Sequence, residues 1–193
     1  TFLVGGSNIN SNGGGFIKKI QIGEDDIPVE IWSRSIGGKT NNIVVMNDGN
    51  IGYSDYNYGV GVGKIDNENG DLIWSTSIEV VSNDGEGAHL LVTPDNGLMI
   101  SGLFGDGDDF RSSIIKLSNT GIFQFEKDID ISYGVRLSGY VNNKYIMIGR
   151  HDLGWGSSAV KYEFIDPYDF GCTEQNAFNY NQWAEFDDGS CEY

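Results

Sequence analysis

A lysine-centred pattern returns four times along this chain, and a recurrence of that kind constrains the fold more than any local propensity does. Its clearest copy is Lys64-Ile65-Asp66-Asn67-Glu68-Asn69-Gly70-Asp71-Leu72-Ile73-Trp74. It comes back as Lys116-Leu117-Ser118-Asn119-Thr120-Gly121-Ile122-Phe123-Gln124-Phe125. Each copy has a lysine, an apolar residue, a polar turn ending in glycine, and an aromatic four positions after that glycine. A looser copy with an inserted acidic turn runs from Lys19-Ile20-Gln21 to Val29-Glu30-Ile31-Trp32, and a truncated one begins at Lys161-Tyr162-Glu163-Phe164. The lysines at 19, 64, 116 and 161 are spaced by 45, 52 and 45 residues.

A short apolar element precedes every copy: Phe2-Leu3-Val4-Gly5-Gly6, Ile51-Gly52-Tyr53-Ser54, Leu98-Met99-Ile100-Ser101-Gly102 and Tyr145-Ile146-Met147-Ile148-Gly149. Ahead of three of these lies a further strand ending in a turn, as in Ile43-Val44-Val45-Met46-Asn47-Asp48-Gly49. Asp48-Gly49, Asn69-Gly70 and Asn96-Gly97 supply the positive φ that tight hairpins require. Four short strands in about 45 residues is the size of one propeller blade. The expected fold is therefore all-β, a β-propeller or partial propeller of about four blades. The blades fall at about 1–36, 37–81, 82–130 and 131–170, with the aromatic after each outer turn plugging the gap to the next blade. The first unit lacks its opening strand and the fourth a clear closing strand. Either four blades close a ring or these are the last blades of a larger one. The opening at Thr1, inside a strand and without an initiator methionine or signal segment, favours a processed product or part of a longer polypeptide.

The motif order, an Asp-Gly turn, an apolar strand ending in glycine, then a lysine strand, glycine turn and tryptophan, resembles the propeller repeats of secreted bacterial surface proteins. It is also similar to the tryptophan-docking blades of quinone-dependent dehydrogenases. The likeness covers roughly residues 1–170 and implies a fold, not an activity.

Composition agrees. The chain of 193 residues carries 28 glycines, 3 prolines, 10 tyrosines and 10 phenylalanines, and β-branched residues recur in short runs. With 12 basic against 28 acidic residues the formal charge is −16, a field that repels nucleic acid and disfavours an anionic membrane surface. No apolar run reaches the roughly 18–20 residues of a spanning helix, so neither nucleic acid nor membrane insertion is expected.

Residues 171–193 differ from everything before them. They hold both cysteines, Cys172 and Cys191, 19 positions apart, and a lone pair flanking so compact a segment points to a disulfide and an oxidising compartment. The segment closely resembles a short module, G-C-T-x3-A-x-N-Y-x3-A-x2-D-D-G-S-C, of exported Bacteroidetes proteins, some marine phage structural proteins and algal surface proteins. Asp187, Asp188, Asn179 and Asn181 gather hard oxygen ligands in one small loop, a candidate calcium site; the alternative is a solvated turn capping its own backbone. No other cofactor is expected.

Other motifs carry less. Asp66–Asp71 begins like a calcium loop, but the position where the bidentate glutamate belongs is Ser77, which leaves a hairpin turn. Gly59-Val60-Gly61-Val62-Gly63 precedes no helix and so forms no phosphate cradle. His89 and His151 have no triad partners nearby. Tyr53, Tyr56, Tyr58 and Trp155 fall at expected blade ends, where aromatics suit sugar stacking or protein contact, although blade packing accounts for some of them equally well. The functional expectation is a non-catalytic binding or assembly segment at a cell surface, adhesin-like or a filament subunit. Its partners would be protein or glycan, or further copies pairing through blade edges. A phage tail or receptor-binding component is the alternative. An enzyme of the quinone-dehydrogenase type needs a wider ring than this chain supplies.

Overall fold

The computed structural model describes the chain except residues 8–13, 57–58, 79–87, 105–110, 130–132, 142–143, 153–156, 165–169, 179, 181, 183, 185 and 188–190. The described residues are all-β, with no helix among them. Strands β1 (Phe2–Ser7), β2 (Gly15–Ile22) and β3 (Pro28–Ile36) form a first antiparallel sheet, A. Sheet B is a four-stranded meander of β4 (Lys39–Val45), β5 (Ile51–Tyr56), β6 (Val60–Ile65) and β7 (Leu72–Ile78). Sheet C repeats it with β8 (His89–Val92), β9 (Leu98–Phe104), β10 (Arg111–Leu117) and β11 (Phe123–Ile129). Sheet D joins β12 (Tyr133–Val141), β13 (Lys144–Asp152) and β14 (Ser157–Phe164). A parallel pair, β15 (Phe170–Gly171) and β16 (Phe186–Asp187), belongs to the cysteine-bridged tail.

Successive sheets pack face to face, each gap filled by its own apolar cluster. Ile17, Trp32 and Ile36 of sheet A meet Ile51, Tyr53 and Ile65 of sheet B. Val60, Val62 and Met46 of sheet B meet Leu90, Leu98, Ile100, Ile115 and Leu117 of sheet C. Met99, Ile114, Phe125 and Ile129 then meet Tyr145 and Met147 of sheet D. Because side chains alternate across a strand, β9 can send Leu98 and Ile100 one way and Met99 the other. The inner strands of sheet B, β5 and β6, are thus buried on both faces, which is why they lack a clean apolar–polar alternation.

Local chemistry repeats with the sheets. Lys19 pairs with Trp32, Lys64 with Trp74 and Lys116 with Phe125, and a one-residue bulge follows each pair, leaving Ile31, Ile73 or Gln124 as the extra residue. Four hairpins share one turn, the outer hairpin of sheet A with Asp26 (φ 57°) at its fourth position among them. In each, the first residue's N–H donates to the carbonyl four residues on, and the fourth residue, in the left-handed region, donates back to the carbonyl of the first. In the other three that fourth residue is Gly49 (φ 83°), Asn96 (φ 60°) or Gly121 (φ 81°). In the Asn96-Gly97 pair the asparagine takes the positive φ. Gly97 is needed for another reason: a β-carbon there would lie 2.4 Å from the Leu117 carbonyl oxygen.

The aromatic after each outer turn does reach the following sheet. The Trp32 indole N–H donates to the Asn67 carbonyl at 3.1 Å, with its ring against Gly70. The Trp74 indole donates to the Asn119 carbonyl at 2.9 Å, with its ring against Gly121. Lys19 and Arg34 add bonds from sheet A to the Asn67 and Gly70 carbonyls. Phe125, whose ring carries no N–H, is buried at the third such position. On the inner side, Lys64 pairs with Asp48 at 2.5 Å and Lys116 with Asp95 at 3.0 Å, tying each lysine strand to its own sheet's inner hairpin. Asn47 links the two inner hairpins: its N–H donates to Asn96 Oδ1 at 2.8 Å and its Nδ2 to the Thr93 carbonyl at 3.0 Å.

Candidate functional site

The alternation that fills the A–B gap with apolar side chains also opens a cleft at one end of it. On β5, Ile51, Tyr53 and Asp55 point toward sheet A, and the first two join the core there. On β6 the same face carries Gly61 and Gly63 beside Ile65, because Val60 and Val62 point to sheet C. Cross-strand register then sets Asp55 opposite Gly61 opposite Ser77, and Tyr53 opposite Gly63 opposite Ser75. Two rows result: an acid or phenol, a bare glycine, and a hydroxyl. Gly37, from the link between β3 and β4, closes the other side. The volume enclosed is about 330 Å³, lined also by Gly59, Val62 and Thr76, and lies at the small end of ligand clefts.

The glycines make room for the two larger side chains. A β-carbon on Gly61 or on Gly38 would stand 2.6 Å from Asp55 Oδ1, and one on Gly63 would stand 2.6 Å from the Tyr53 hydroxyl. Asp55 is therefore sandwiched between two stretches of backbone and only 8 % exposed. Burial pushes its carboxyl above the usual 3.8, opposed by a hydrogen bond from the Gly38 N–H. The Tyr53 phenol is likewise raised, by burial and then by the neighbouring Asp55 charge, with Arg34 opposing. Asp48 provides the contrast. Its burial is outweighed by hydrogen bonds from Lys64, Asn50 and Asn96, and its carboxyl is lowered to about 2. Among the described residues, no lysine or arginine forms an ion pair with Asp55.

The residues singled out from sequence are distributed as follows. Tyr53 and Tyr56 lie on β5 itself, not in a loop at its end. Tyr53 is 5 % exposed, so its ring serves packing, and it borders the cleft from within the core. Tyr56 sits across the strand from Tyr53's face and pairs with Lys39 and Val60. Tyr58 and Trp155 lie outside the described residues, as do Asn179, Asn181 and Asp188 of the calcium candidate; Asp187 contributes its backbone to β16. Cys172 and Cys191 form a disulfide, with Cα atoms 4.8 Å apart. Nearby, the Phe178 N–H donates to the Glu192 carbonyl at 2.8 Å and the Tyr193 hydroxyl to Glu174 at 2.6 Å. The Asp66 carboxylate accepts the N–H groups of Glu68 and Asn69, as the turn reading of that stretch requires. His89, on β8, is held below the ordinary histidine value by burial and by Arg136. Sequence reasoning missed Asp55. The available signal was the pairing of Tyr53-x-Asp55 with the alternating glycines of Gly59–Gly63, which leaves one strand face bare beside an acid.

No family model matches the chain, and no curated protein is significantly similar to it. Among solved structures it is similar to the crystal structure of a protein of unknown function from Bacteroides caccae, with a TM-score of 0.50 and 15 % identity. The match covers 84 % of this chain, which spans 57 % of the length of that structure. At this identity the likeness is one of fold alone.

Proposed function

We propose that this chain is a non-catalytic binding segment of an extracellular surface protein, its sheets A to D serving as consecutive blades of a β-propeller. The A–B cleft carries the reading. A buried carboxyl and two exposed serine hydroxyls converge on one opening held by rigid strands, an arrangement suited to recognition. The propeller assignment draws support from the order of packing. β8 lies beside both β4 and β12, so the first strands of sheets B, C and D neighbour one another as blades around an axis would. The disulfide of the tail accords with an oxidising, extracellular setting. Screening the chain on glycan and surface-protein arrays, beside a variant in which Ser77→Trp covers the cleft mouth, tests the binding role. Ligands retained equally by both proteins would refute it.

A specific observation also favours assembly. Among the described residues of sheet A, β1 pairs with β2 alone, whereas the corresponding β5 and β9 are flanked on both sides. Phe2–Ser7 carries no charge to blunt that edge, and Phe2 is 58 % exposed. Strand addition there would complete a fourth strand. Sedimentation of the purified chain over a range of concentrations, compared with a Val4→Lys variant, reports it; identical monomeric behaviour of both proteins would remove this reading.

A further inference from the structure

We propose that the A–B cleft takes a primary ammonium group, seated against Asp55 with its remaining N–H donors directed to the Ser75 and Ser77 hydroxyls. The inference rests on the binding reading above and narrows it to one ligand chemistry. Three observations carry it.

Two aspartates of the inner hairpin turns each have a lysine of this chain as countercharge, the half-exposed Asp48 with Lys64 and the more buried Asp95 with Lys116. Asp55 is buried to the same degree or more, yet among the described residues it faces no such partner and borders an open space instead. A buried carboxylate without a cation is costly, and a ligand cation removes that cost. Secondly, what surrounds Asp55 suits an ammonium. Such a head offers three donors and no acceptor. Around the acid the cleft presents hydroxyl oxygens at Ser75 and Ser77, which can accept. Three of the lining residues are glycines, so no side chain at those positions obstructs a slender stem. Thirdly, the chain's formal charge of −16 draws cationic groups toward its surface and repels anionic ones. The raised Asp55 carboxyl agrees: an arriving ammonium would stabilise the ionised form that burial disfavours.

The ammonium can come from a lysine side chain or from an amino sugar, and one experiment separates the two. The intact chain is titrated, with binding followed by NMR, against N-acetyl-lysine methylamide and methyl glucosaminide. The neutral counterparts are N-acetyl-norleucine methylamide and methyl glucoside. One charged probe should bind at least about tenfold tighter than its neutral counterpart, the margin of a charge-assisted contact in a partly desolvated site. Which probe shows the margin identifies the source. Asp55→Asn, which keeps an acceptor for the Gly38 N–H, should abolish the margin. Ser77→Lys, at an exposed position in the Asp55 row, should place an ammonium of the chain's own in the cleft and abolish binding of the charged probe while leaving the thermal midpoint near that of the parent. Neutral probes that bind as tightly as charged ones would overturn the ammonium assignment and leave the cleft a binding site. Absence of binding by all four at millimolar concentration would overturn the assignment outright, while the array screen decides the broader reading independently.

Discussion

Replacing Gly121 by alanine puts a methyl group into the ring of Trp74. The glycine sits at φ 81°, and a β-carbon built on it would lie 2.6 and 2.7 Å from two indole carbons, well inside contact distance. Two costs follow. An L-residue in the left-handed region loses about 1–2 kcal/mol relative to glycine. The indole must also shift, and its 2.9 Å hydrogen bond to the Asn119 carbonyl, worth about 1 kcal/mol, is lost along with part of its packing against the B–C cluster. The total expected for Gly121→Ala is about 2–4 kcal/mol. Urea unfolding followed by circular dichroism gives the number, and a double-mutant cycle with Trp74→Ala divides it. With the indole gone, the glycine change should cost only the backbone part, about 1–2 kcal/mol. Asp26 makes an internal control. It occupies the same turn position in sheet A, at φ 57°, with the same pair of turn hydrogen bonds, and sheet A has no described tryptophan docked on that turn. Asp26→Gly should therefore be neutral or stabilising by up to about 1 kcal/mol. If Gly121→Ala costs the same with and without Trp74, the indole is not what the glycine accommodates.

The buried Lys116–Asp95 pair should respond asymmetrically: Lys116→Met strands the aspartate and should lower the unfolding free energy by about 3–5 kcal/mol, whereas Lys116→Met with Asp95→Leu should recover most of that loss in the same urea assay. Acid should weaken the protein through Asp48. Its folded-state carboxyl is lowered to about 2 from an ordinary 3.8, so its contribution is present above pH 4 and is lost as the pH falls from there through 2. Asp48→Asn should flatten the fall in urea midpoint between those limits, and an unchanged profile would count against the Lys64–Asp48 pairing. Reduction of the Cys172–Cys191 bridge releases a loop of 19 positions, worth about 3 kcal/mol by the chain-entropy account, and should expose residues 171–193 to protease while sheets A to D stay intact, as mass spectrometry of the digest would show.

What could be read from the sequence was whatever the repeat imposed. Lysine and aromatic partners are visible as residue types at fixed spacing, and the structure pairs Lys64 with Trp74 and Lys116 with Phe125 across one hairpin. The glycine ending the outer turns of sheets B and C, Gly70 and Gly121, was equally legible, because a positive φ leaves few substitutes. The inner turn of sheet C was harder: Asn96 and Gly97 both tolerate the left-handed region, and only the closeness of the Leu117 carbonyl decides which of them must be glycine. The cleft was illegible for another reason. Asp55 gains its meaning from Gly61 and Ser77, residues on two other strands, and register is not written in any one of them. Tyr53 misled in the same way. Its strand is buried on both faces and so lacks the alternation that would have marked it as core.

The tryptophan grip has a direction. Trp32 and Trp74 both reach forward along the chain, to carbonyls 35 and 45 residues later, and neither reaches back. During synthesis each completed sheet must wait for the ribosome to deliver its partner, an interval of about 2–9 s for 45 residues. Throughout that interval the newest sheet presents a bare indole and an uncovered apolar face at the growing end, a standing target for chaperones and for neighbouring nascent chains alike.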